Sequence, residues 1–218
     1  MRYALVREQD ISNGPGFRVS LFVQGCTRRC PNCFNKETWD VDGGYEWTRK
    51  KEKILLDLCD KDHIEGLSIL GGEPLLQFEK GRGTEYKDMI HLVKAFKERF
   101  PEKTIWVWTG YKWEDIVVRP SRLRVKYVKK FLSYVDILVD GPYKENLHLK
   151  NLKFRGSANQ RIIDVQKSLP NVKNIDYTKD MIDFGLVTYD STHIPFRGKI
   201  KRDAIKDQNK IYNNQKGV

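Results

Sequence analysis

The 218-residue chain is 39% hydrophobic and 11% aromatic, enough to bury the core of one ordinary domain, with or without an appendage. No apolar run approaches the roughly 18 residues of a membrane span, and the start "MRYALVREQD" has charges but no apolar h-region, so a cytoplasmic chain is expected. The 40 Lys+Arg against 29 Asp+Glu give a net charge of +11, which suits acidic partners or reflects a basic proteome; no Lys/Arg block with interleaved aromatics singles out nucleic acid.

In chain order, "FRVSLFVQ" (17–24) is apolar at Phe17, Val19, Leu21 and Val23, the period of two of a strand, with Phe22 making it partly two-faced. After a cysteine-bearing loop, "TRKKEKILLDLC" (48–59) opens at Thr48, a suitable N-cap, and sets Ile54, Leu55 and Leu58 on one helical face. "GLSIL" (66–70) is a short buried strand ending at the break "GGEP". "EYKDMIHLVKAFKERF" (85–100) is a helix with Met89, Ile90, Val93 and Phe96 inward, stopped by Pro101. "TIWVW" (104–108) is a strand closed by "TGY", with Trp106 and Trp108 expected in the core on alternating faces. "SRLRVKYVKKFLSYV" (121–135) reads as a helix, and "DILVD" (136–140) as a strand cut off by "GPY".

Strands alternating with helices predict an α/β fold with a mainly parallel sheet, and four strands are too few for a closed eight-stranded barrel, so an open or partial (β/α) barrel is expected. Ligands in such folds collect at the C-terminal ends of the strands, where "GCTRRCPNC", "GGEP", "TGY" and "DGPY" would form one pocket. Beyond about residue 170 the pattern weakens. "FGLVTYDSTHIPF" can add a strand, and the polar, basic chain from "RGKIKRD" onward reads as loosely ordered; a helix through Ile200, Ala204 and Ile211 has too few anchors to be expected. The expected organisation is a domain over 1–169 and a basic extension over 170–218.

The stretch "QGCTRRCPNCFN" places Cys26, Cys30 and Cys33 within eight residues. Clustered thiols in a reducing compartment more often bind metal or do chemistry than pair as disulfides. Structural zinc asks for four ligands. The other thiol, Cys59, sits mid-helix among leucines and reads as a small buried hydrophobe, and His63, His91, His148 and His193 lack ligand spacing. A 4Fe–4S cluster held by three thiolates would instead leave one iron open to an exogenous ligand.

The Cys-x₃-Cys-x₂-Cys triad after the first barrel strand, followed by GGEP, resembles the radical S-adenosylmethionine (SAM) superfamily. "NGPGFR", "CPNCFNKETW", "WTGY", "DGPY" and "RGSANQR" resemble, in order over roughly residues 1–165, the activating proteins of the anaerobic (class III) ribonucleoside-triphosphate reductase. The chain departs from that pattern at Glu73, where GGDP is common, at Asn32, where Gly is frequent, and after residue 170, a region without a counterpart in the pattern. The resemblance implies that Cys26, Cys30 and Cys33 hold three irons and that the fourth chelates the amino and carboxylate groups of SAM. One electron, from a donor such as a flavodoxin, would split the sulfonium to a 5′-deoxyadenosyl radical that takes a Cα hydrogen from a glycine of the reductase. No side-chain general base is required.

Several residue roles follow from the same resemblance. Gly71 and Gly72 let the backbone approach the cofactor, or merely end the strand. Glu73 and nearby backbone receive the SAM ammonium. Asn32 and Phe34 line the adenine, unless Phe34 only packs. Asp140 meets SAM or a cation, or only forms the turn. Arg155 and Arg161 contact the partner or a phosphate, or form a solvated face. Rival readings are another glycyl-radical activase, a small-molecule radical SAM enzyme, and a zinc-bearing nucleic-acid module.

Overall fold

The computed structural model describes residues 1–118 and 122–171. Strands are β1 (Arg2–Asp10), β2 (Phe17–Val23), β3 (Tyr45–Glu46), β4 (Ile64–Gly71), β5 (Thr104–Trp108), β6 (Ile137–Asp140) and β7 (Arg161–Asp164). Helices are α1 (Arg49–Cys59), α2 (Tyr86–Arg99), α3 (Val125–Leu132) and α4 (Val165–Asn171). The seven strands form one sheet in the order β3-β1-β2-β4-β5-β6-β7.

The four strands expected from sequence are the parallel centre of this sheet, with Val23 opposite Gly71, Ile69 opposite Val107 and Trp108 opposite Val139. Their C-terminal ends therefore share one edge. The flanks β3-β1-β2 and β6-β7 pair antiparallel, so the sheet as a whole is mixed. The expected strand in "FGLVTYDSTHIPF" and the region of Ile200, Ala204 and Ile211 lie outside the described residues. No helix among the described residues is long and apolar enough to cross a membrane.

Alternation along the strands divides the interior. Val19, Leu21 and Val23 of β2, Leu67 and Ile69 of β4, Ile105 and Val107 of β5 and Leu138 of β6 belong to the larger cluster, which residues of all four helices complete. The opposite face carries a smaller cluster of Trp106, Ile137, Val139 and Ile162, with Trp108 and Phe154 against it. Trp106 and Trp108 thus share a face rather than alternating: residues two apart on a strand point the same way, and their rings stack with centroids 5.7 Å apart.

Helix α1 begins as expected, with the Thr48 hydroxyl accepting the Lys51 N–H at 3.3 Å. Its inward stripe is Glu52, Leu55, Leu56 and Cys59, a spacing of i, i+3, i+4, i+7. The face expected from Ile54, Leu55 and Leu58 is rotated, and Ile54 is 43% exposed. A buried carboxylate disguised the stripe; Glu52 accepts from Arg49 at 2.8 Å and pairs with His91 at 2.7 Å.

On the face opposite the helices, near the start of β2, Arg18 is fully buried. Its guanidinium donates to Ser68 Oγ at 2.7 Å, Thr104 Oγ1 at 3.0 Å and the carbonyls of Leu67 and Thr104 at 2.9 and 2.7 Å. Burial pushes its pKa down to about 10, which leaves it charged at neutral pH. Gly14 of the "NGPGFR" stretch has φ +112, and a Cβ there would stand 2.8 Å from Arg18 Cδ. That motif therefore seats an internal cation at the N-terminal edge of the parallel strands. Arg18→Ala would strand four acceptors in a dry space and should cost about 3 kcal/mol or more, read as a lower urea midpoint with unchanged m-value. Arg18→Met, which restores volume without donors, should recover only part of the loss.

Candidate functional site

The four turns at the C-terminal edge of the parallel strands meet, as expected, but through contacts that reassign several residues. The loop after β2 starts at Gly25, whose N–H donates to the Thr38 carbonyl at 2.8 Å, and Cys26 N–H follows onto the Trp39 carbonyl at 3.2 Å. The loop is thereby closed on its own far end, and Gln24 Nε2 reinforces it by donating to the carbonyls of Glu37 and Asp40 at 3.0 and 2.7 Å. Inside the loop, Arg29 and Asn32 adopt left-handed backbone with φ of 51° and 53°. Cys33 N–H donates to the Cys30 carbonyl at 3.3 Å, which curls the second half of the triad.

Cys26, Cys30 and Cys33 are free and half-buried, whereas Cys59 is fully buried in the helix-side core. Burial pushes Cys59 up to about 12, making it an inert thiol. Burial also raises Cys26 and Cys30, with Cys33 adding to the effect at Cys30, so both stay protonated at neutral pH until a metal displaces the protons. Among the described residues, no three His, Cys, Asp or Glu side chains lie close enough to hold one metal ion. A cubic 4Fe–4S cluster instead puts each thiolate on its own iron, and three half-buried, unpaired thiols around one tight loop fit that donor set.

The GGEP turn is fastened to the cysteine loop by backbone. Gly72 N–H donates to the Val23 carbonyl at 2.9 Å, and Glu73 N–H to the Gly25 carbonyl at 2.8 Å. A Cβ on Gly72 would lie 2.4 Å from the Gly25 oxygen, and one on Gly71, at φ +101, 2.6 Å from Phe22 Cα. The two glycines therefore answer to close packing against β2 and its loop.

Glu73 is buried and its carboxylate is saturated. Oε1 accepts from Leu75 N–H at 3.1 Å and Thr109 Oγ1 at 2.6 Å, and Oε2 from Gly110 N–H at 2.8 Å and Arg28 Nε at 2.9 Å. The oxygens expected to receive an ammonium are occupied by protein donors, and the side chain ties together the cysteine, GGEP and TGY turns. Arg28 and Thr109, which sequence reasoning passed over, are its partners; the pointer was a cation inside the triad facing an acid in the next motif.

Asp140 is likewise engaged. It is fully buried and accepts from Trp113 N–H at 2.7 Å and from Arg161 at 2.9 and 2.5 Å, while Arg161 also bridges Glu114 at 2.7 and 2.8 Å. Glu114 first and Asp140 second hold the Arg161 proton well above the ordinary range. Asp140 and Arg161 are thus engaged with each other, with Trp113 and with Glu114. Arg155 donates to the Gln160 carbonyl at 3.1 Å, and Asn159 and Gln160 donate to the carbonyls of Pro142 and Gly141 at 2.8 and 3.0 Å. "RGSANQR" thus braces the DGPY turn. Phe34 is 92% exposed, so it is no packing residue, and Asn32 reaches Glu145 on the segment after β6, whose carboxyl Tyr143 first and Asn32 second hold below its ordinary range.

The family described as 4Fe-4S single cluster domain matches residues 12–163. The anaerobic ribonucleoside-triphosphate reductase-activating protein of Enterobacteria phage T4 is 42% identical over 162 residues, covering 74% of this chain and 93% of that protein. The proteins of the same name from Salmonella typhimurium and Escherichia coli (strain K12) are 38% and 37% identical over 162 residues, each match covering 73% of this chain and 96% of the relative. Replacing Cys26, Cys30 or Cys33 by Ala should abolish iron and sulfide uptake on anaerobic reconstitution. Cys59→Ala should load as the unmodified chain does, measured as iron and sulfide per chain.

Proposed function

The chain belongs to the family of anaerobic ribonucleoside-triphosphate reductase-activating proteins, and we propose that it is a radical SAM enzyme that generates a glycyl radical on such a reductase. The observation that carries this reading is the cysteine triad on the loop after β2, joined through the Glu73 N–H to the Gly25 carbonyl at 2.8 Å. When bound to three cysteines, a 4Fe–4S cluster supplies an open iron for SAM and the electron that splits its sulfonium.

The protein's part is to hold and orient. Cys26, Cys30 and Cys33 ligate three irons. Gly71 and Gly72 keep the turn's backbone hard against the loop, and that backbone, steadied by the Glu73 side chain, receives the ammonium of SAM. Phe34, whose ring is free of protein cover, and the backbone of Asn32 border the adenine. Asp140 acts at a distance by fixing the turn after β6. The sheet, backed by helices on one face, would be the partial barrel of the radical SAM fold, with residues 1–169 as the catalytic domain and 170–218 as a basic extension. An acidic donor of the flavodoxin kind suits the net charge of +11, and a reducing, cytoplasmic setting suits the free, clustered cysteines.

Reconstituted anaerobically and reduced with dithionite, the protein should convert SAM to methionine and 5′-deoxyadenosine. Addition of the reductase should produce a glycyl radical visible by electron paramagnetic resonance. A fully loaded cluster that leaves SAM intact, even beside the reductase, would refute the assignment.

A further inference from the structure

Over residues 25–33 the backbone-to-backbone bonds lie at the two ends, on Gly25 and Cys26 at the start and between Cys33 and Cys30 at the close. What holds the middle is side chains. Left-handed backbone at Arg29 sends two consecutive arginines to different partners. Arg29 lies over the Trp39 ring at 5.0 Å, within the loop's own far end. Arg28 reaches across to the neighbouring turns, where its guanidinium sits 4.3 Å from the Tyr111 ring centroid and its Nε donates to Glu73. Gly110 leaves the room for this, since a Cβ there would stand 2.3 Å from Arg28 Cδ and Nε.

We propose that Arg28 is a positioning residue for the iron–sulfur cluster: wedged between the Glu73 carboxylate and the Tyr111 ring, it fixes the Cys26–Cys30 half of the loop against the GGEP and TGY turns. The wedge needs a planar cation. A guanidinium stacks on the ring with its face while donating from its edge; an ammonium cannot do both. Glu73 also binds Thr109 and Gly110, so Arg28 holds the loop to a carboxylate that is itself fixed. At 26% side-chain exposure it closes the side of the site without being locked in the core. Tyr111 is anchored in turn, its hydroxyl donating to Glu79.

The inference rests on the cluster reading of the triad, and its test separates the two. The full chain is reconstituted anaerobically, and iron loss to a ferrous chelator is timed for the unmodified protein, Arg28→Ala, Arg28→Lys, Tyr111→Leu and Arg28→Ala/Tyr111→Leu. Arg28→Ala should lose iron about 10- to 100-fold faster, the usual cost of removing a group that orients metal ligands. Tyr111→Leu, which leaves charge unchanged, should move in the same direction. Arg28→Lys should recover little, and the double variant should be little worse than Arg28→Ala alone, because the stack on the Tyr111 ring is already lost in that single variant. In cluster-free protein, the amides of Gly25, Glu73 and Gly110 should exchange faster in Arg28→Ala with the far-ultraviolet circular dichroism unchanged. Iron retention equal to the unmodified chain, full rescue by lysine, or unaltered exchange at those amides would overturn the role of Arg28. Failure of the unmodified chain to take up iron would overturn the cluster reading instead, leaving the amide exchange to judge Arg28.

Discussion

A single buried carboxylate organises the functional edge. An ionised side chain removed from water is tolerable only when its lone pairs are met, and Glu73 meets four donors on two oxygens. Those donors come from three successive turns of the parallel sheet. The desolvation cost of one charge is thus converted into a geometric requirement on three loops at once, since a turn that drifts leaves an oxygen unsatisfied. Backbone bonds from Gly72 and Glu73 to Val23 and Gly25 impose the same register without side chains.

The opposite edge mirrors this arrangement with the other sign. Arg18 is buried at the N-terminal end of the parallel strands, and neutral oxygens of β4 and β5 surround it. Glu73 and Arg18 bracket the parallel centre at its two ends. One orders the turns that carry the chemistry; the other orders the strands beneath them. Asp140 with Arg161 and Glu114 repeats the pattern at the last turn, so the site is bordered by charges that are satisfied internally.

The central sheet was legible because its strands announce themselves locally. Val19, Leu21 and Val23 alternate, "TIWVW" ends at Thr109-Gly110, and each break falls where a strand stops. The antiparallel flanks were not legible. β1 shows no clean alternation of buried and exposed positions, β3 has two residues, and β7 lies inside a stretch chosen for its arginines. The buried, inert Cys59 could be read from its context, as could the four turns. The partners of Glu73 and Asp140 could not, since all but Leu75 stand 21 to 45 residues away and hydrogen-bond geometry is not a property of spacing. An acid in a motif looks like a ligand until the donors around it are counted.

Backbone bonds fasten the cysteine loop at its start: Gly25 to Thr38, Cys26 to Trp39, Glu73 to Gly25. A zinc finger, by contrast, collapses when its ion is withdrawn, because metal binding supplies its folding energy. Here three backbone bonds tie the start of the loop to its own far end and to the neighbouring turn without using any thiol. Loss of an inorganic core to oxidation would not remove those three ties, so repair would begin from a loop already fastened where it leaves the strand.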